Sequence, residues 1–206
     1  MKKKLMAVAL ATIIAVMAVA GYSLAWLKDS TVTVTNTFTE GLVDIELYEH
    51  DYLPDSNDLD NNVKVTENKD YKMIPSLELP KDPTVVVKAK SEACYVFIEV
   101  EANANAEKFL TYSIDSSEWT PLVDANEDGV ADDGVYYKHI ESYTATDIEI
   151  NVLTNKKVTV KSTIELDDME ALLETGAVKP ALKFTAYAIQ DLGSADAAAA
   201  WEKIKN

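Results

Sequence analysis

Short alternating segments cut by turn residues, with no long helical stripe among them, confine this chain to a mainly β architecture. Thr31-Val32-Thr33-Val34-Thr35 alternates between two β-branched residue types, and Val43-Asp44-Ile45-Glu46-Leu47 alternates apolar and acidic residues. Both patterns suit half-buried strands, because successive side chains leave a pleated backbone on opposite faces. Further strands are expected at 63–65, 84–88, 94–101, 109–115, 135–140, 147–153, 156–165 and 182–189. An Asp/Asn-rich loop is expected over 51–70, followed by a turn region punctuated by Pro75, Pro80 and Pro83. Two helices are expected. One over 167–174 opens with acids and stops before Gly176, and one over 194–205 begins Ser-Ala-Asp and is alanine-rich. No repeat of solenoid length is present, so the strands must close on one another as a sandwich or jelly roll.

The amino terminus sets the compartment. Lys2, Lys3 and Lys4 precede an uncharged apolar run from Leu5 to Ala20, then Gly21 and the small-residue triplet Ser23-Leu24-Ala25. Positive, apolar, then A-x-A-like is the order of a secretory signal peptide. As a helix the apolar run spans about 24 Å, short of a hydrocarbon core of roughly 30 Å, so cleavage is expected rather than permanent anchoring. The expected cut lies between Ala25 and Trp26, leaving one secreted domain over 26–206 whose contact with the membrane ends with export. Neither an LPxTG-like sorting motif nor an apolar C-terminal tail is found, so surface retention is expected to be non-covalent.

The formal net charge of −16 becomes −19 once the leader, with three lysines and no acid, is removed; arginine is absent altogether. Such a chain repels nucleic acid and anionic membrane surfaces. Self-association must overcome the same repulsion and is expected to strengthen with salt, Ca²⁺ or acid. Cys94 is the sole cysteine, which excludes an intramolecular disulfide, and its apolar strand-like setting reads as a small buried hydrophobe.

Four features bear on chemistry. Asp124, Asn126, Asp128, the Val130 carbonyl and Asp132 follow the spacing of the front of an EF-hand calcium loop, with Gly129 at the sharp turn. Val135 stands where the bidentate Glu belongs, so the expectation is a looser Ca²⁺ site, set against an ordinary solvated hairpin loop. No H-E-x-x-H is present; a zinc site would need His50 and His139 to meet across the fold with Glu49 or Asp51. Trp119 with Tyr136 or Tyr137 could form a carbohydrate platform. Finally, residues 26–37 carry Trp26 and Leu27 as anchors and Val32 and Val34 as alternate-face knobs, with no proline. That strand can pair within its own sheet or complete the sheet of a neighbouring copy. Exchange of the second kind is head-to-tail and open, so it grows filaments.

The processing region Ala25-Trp26-Leu27-Lys28-Asp29, the segment Thr35-Asn36-Thr37-Phe38-Thr39-Glu40-Gly41 and the strand Val43 to Glu49 resemble the start of the TasA/camelysin family. Weaker echoes lie at Lys81-Asp82-Pro83, Cys94 to Val100 and Phe184 to Gln190. The resemblance implies a Gram-positive exported protein processed by a SipW-type signal peptidase, with a jelly-roll-like β-sandwich and one or two short helices. It also implies fibre formation in a biofilm matrix or at the cell surface, with itself or related matrix proteins as partner. A camelysin-like surface metallopeptidase and a monomeric binding module are the alternatives. The acidic segments 51–70 and 124–134 depart from the family pattern.

Overall fold

The computed structural model describes residues 42–205 apart from 124, 126 and 192. The leader, the Ala25–Trp26 junction, the assembly-strand positions Trp26, Leu27, Val32 and Val34, and the loop residues Asp124 and Asn126 lie outside the described residues. Eleven strands are described: β1 (Ile45–Leu53), β2 (Asp58–Val65), β3 (Glu78–Pro80), β4 (Thr84–Val87), β5 (Cys94–Ala102), β6 (Leu110–Thr111), β7 (Thr120–Pro121), β8 (Val135–Ile140), β9 (Ile148–Asn151), β10 (Lys157–Val160) and β11 (Leu182–Gln190). Three short helices accompany them: α1 (Ala104–Phe109), α2 (Leu166–Ala171) and α3 (Ala197–Lys205).

All pairings are antiparallel. They form a sheet β2-β1-β4-β9, a sheet β11-β5-β8-β7 and a smaller sheet β3-β10-β6. The two four-stranded sheets face each other across the main core, giving the all-β sandwich expected from the sequence. Val85 and Val87 of β4 and Ile150 of β9 meet Cys94, Val96 and Ile98 of β5 there. The alternate β5 residues, Tyr95 and Phe97, face the opposite way and are covered by Ala197, Ala200 and Trp201 of α3. Both faces of β5 are therefore buried, which is why Cys-Tyr-Val-Phe-Ile reads as a continuous apolar run rather than an alternating one. The small sheet packs Leu79, Val158 and Val160 into a third cluster beside Leu182 and Phe184 of β11.

The structure corrects several expected elements. The Asp/Asn-rich stretch 51–70 is largely strand: β1 continues to Leu53, turns through residues 54–57 and returns as β2. Asn57 takes a left-handed φ of 52° in that turn, a conformation asparagine tolerates well. A strand, β3, lies in the proline-punctuated region, paired with β10. The segment expected as a strand over 109–115 begins with the end of α1, whose Asn103 cap accepts the Ala106 N–H at 2.7 Å.

Candidate functional site

Strand β1 changes partner midway. Ile45 to Tyr48 pair with β4, and Glu49 to Leu53 pair with β2 on the opposite edge. Along Ile45–Tyr48 the edge away from β4 thus has no strand partner among the described residues. The same holds for β11, which pairs with β5 along its whole length and lies at the end of its sheet. Leu47 to Glu49 of β1 and Leu182 to Phe184 of β11 line a groove of about 550 Å³, with Met73, Leu79 and Val158 among its apolar residues.

The groove has a polar end. The register of β1 and β2 breaks between His50 and Asp51, and the Asn68 carboxamide repairs the break as a surrogate strand neighbour. Its Oδ1 accepts the Tyr52 N–H at 2.8 Å and its Nδ2 donates to the His50 carbonyl at 2.7 Å. The same Nδ2 donates to Glu49 Oε2 at 3.1 Å. Lys81 Nζ sits on both Glu49 oxygens, at 2.8 and 3.0 Å. Next along the chain, Asp82 is 2% exposed and holds His50 twice, accepting its backbone N–H at 2.9 Å and lying 2.6 Å from Nδ1. Tyr71 stacks on Tyr52 with ring centres 4.3 Å apart. Its hydroxyl is buried with no hydrogen-bond partner among the described residues, an exception to the usual pairing of buried polar atoms. Desolvation first, then the charges of Glu49 and Asp82, push the Tyr71 hydroxyl well above the ordinary phenol range.

The other expected sites fall elsewhere. In the 124–134 loop, Asp128 Oδ1 accepts the Val130 N–H at 2.8 Å and Asp132 Oδ2 accepts the Ala125 N–H at 2.8 Å. These carboxylates brace their own loop, and Val130 is exposed. His50 is engaged by Asp82, while His139 Nε2 lies 2.9 Å from Asp191 and its ring stacks on Tyr95 at 4.2 Å. Among the described residues no group of three His, Cys, Asp or Glu side chains is placed to hold a metal ion. The carbohydrate platform is corrected: Trp119 and Tyr136 are buried in the sandwich core, and the Trp119 indole N–H donates to the Asn151 carbonyl at 2.8 Å. Cys94 is fully buried, and desolvation pushes its thiol up to about 11.

Sequence reasoning missed the partnership of Glu49, Asn68, Tyr71 and Lys81. One signal was available: Lys81-Asp82 sits between Pro80 and Pro83. Prolines on both sides restrict the backbone of a charged pair, which points to a fixed rather than a solvated placement. Comparison with family models, with curated proteins and with solved structures found no match to this chain.

Proposed function

We propose that this protein is a secreted, non-catalytic structural subunit that assembles head to tail in an extracellular matrix or at a cell surface. A SipW-type signal peptidase frees the strand that begins at Trp26, and residues 26–37 of one copy enter the sheet of the next. The observation that supports this most is the pair of strand edges, on β1 and β11, that flank an apolar groove and have no described partner. Strand β11 has the character of an acceptor. It is nine residues long, half-buried over most of its length, free of proline, and carries Lys183 as its sole charge. Exposed edges normally carry proline, bulges or inward charges that forbid pairing. An entering strand adds main-chain hydrogen bonds on the edge and places alternate side chains, Val32 and Val34 among them, towards the groove. Trp26 and Leu27 supply the larger anchors.

The net charge opposes close approach of copies, so cations favour assembly. Ca²⁺ serves both as counter-ion and as a ligand for the oxygen-rich loop containing Asp124, Asn126, Asp128, Val130 and Asp132. Protein beginning at Trp26 is expected to form filaments visible by negative-stain microscopy, and a variant lacking 26–37 is expected to stay monomeric in the same salt and Ca²⁺. Monomers from both proteins under every condition would contradict the proposal.

A further inference from the structure

We propose that Lys81 and Asn68 become joined by an intramolecular isopeptide bond, with Glu49 moving the protons. The proposal is independent of assembly and rests on the arrangement at the polar end of the groove. Acyl transfer needs a nucleophile, an electrophilic carbonyl, a proton carrier reaching both nitrogens, and a donor aimed at the carbonyl oxygen. All four are present. The Lys81 amine is the nucleophile and the Asn68 carboxamide the electrophile. Glu49 Oε2 is 3.0 Å from Lys81 Nζ and 3.1 Å from Asn68 Nδ2, so one carboxylate contacts both the attacking and the leaving nitrogen. The Tyr52 N–H donates at 2.8 Å to Asn68 Oδ1, the oxygen that gains charge when Cγ becomes tetrahedral.

Position and burial favour the reaction over a solvated ion pair. The side chains of Lys81 and Glu49 are only 10% and 12% exposed, and Asn68 is fixed by three hydrogen bonds. Anchoring the Lys81 amine and the Asn68 carboxamide on the same carboxylate, with Lys81 and Glu49 largely buried, lowers the entropic barrier to their reaction.

In the step itself, Glu49 takes a proton from the Lys81 ammonium, and the neutral Nζ forms a bond to Asn68 Cγ. The Cγ–Nδ2 bond then breaks. Glu49 relays the two protons shed by Nζ to Nδ2, which departs as ammonium. No oxidant or reductant takes part. The product replaces the Lys81 ammonium with a neutral amide, leaves Glu49 as the carboxylate it began as, and ties the segment after β2 to the segment after β3.

The test is the mass of the full chain, purified, denatured and compared with the mass its mapped amino terminus dictates. We expect a deficit of about 17 Da, one ammonia. Trypsin should release a branched species joining 65–69 to 73–88, because an acylated Lys81 is not cleaved. Lys81→Met and Glu49→Gln should both restore the full mass. Full mass in the unaltered protein, with linear peptides ending at Lys81, would overturn the proposal whatever the variants do. A deficit that survives Lys81→Met would also overturn it, since ring closure of Asn68 on its own backbone loses the same ammonia. A deficit that survives Glu49→Gln would remove Glu49 from the reaction.

Discussion

Gly134 shows how much a single position carries that its sequence context conceals. In the sequence it is one more glycine in an acidic loop. In the structure its φ is +72°, and an added Cβ would stand 2.8 Å from the Val100 carbonyl oxygen. Its own carbonyl accepts the Val100 N–H at 2.9 Å, so the backbone has no room to yield. Gly134→Ala is expected to lower unfolding free energy by about 1–3 kcal/mol in denaturant titration, from left-handed strain and the clash together. Cys94 is the opposite case, since its apolar neighbours announced a buried thiol. Its pKa rises from 9.0 to about 11, chiefly by desolvation. A thiol with a raised folded pKa keeps its proton while the unfolded chain has lost it. Its stabilising contribution is thus present below pH 9 and lost as pH climbs towards 11, by about 2–3 kcal/mol. Cys94→Ala should flatten that part of the stability-versus-pH curve, measured by thermal unfolding; an unchanged slope would assign the alkaline loss to other groups.

At the scale of elements, legibility followed the range of the interactions. Strands β4, β5, β8 and β11 were readable because their own residues carry the pattern, as in Thr-Val-Val-Val and Cys-Tyr-Val-Phe-Ile. Of strand β2 only the end was, the expected 63–65; its start, Asp-Leu-Asp-Asn-Asn, has turn-former composition and becomes strand through its pairing with β1. Helix α1 escaped notice for a different reason: six residues are too few to show a helical period, and its evidence is the Asn103 cap. Helix α3 is legible in the sequence, but the surface it covers is not. Trp201 lies 5.0 Å from Phe97 and 5.2 Å from Tyr187, ring centre to ring centre, closing the outer face of the β11-β5-β8-β7 sheet. Trp201→Ala is expected to cost about 3–5 kcal/mol and to expose Tyr95, Phe97 and Tyr187, detectable as dye binding well below the unfolding temperature. Unchanged stability would mean that α3 is an ornament on a sheet that is stable without it.

For the molecule as a whole, composition and fold point the same way. An acidic chain with no arginine repels polyanions, and a sandwich whose long edge strand β11 has no second strand partner among the described residues is compatible with the proposed self-association. The general class was legible because alternation and turns are local signals. The groove was not, because it is assembled from β1, the segment after β2, β3 and β11, which are far apart in the chain. Its polar end is the least legible part, since Glu49, Asn68 and Lys81 have no common motif and meet only where the β1–β2 register breaks. The most direct test of the assembly reading is hydrogen exchange at β11, comparing assembled mature protein with the variant lacking 26–37. The β11 amides pointing away from β5 are expected to become strongly protected in the assembled protein and to stay exchangeable in the variant. Equal exchange of those amides in both would contradict the claim that β11 receives the strand of a neighbouring copy.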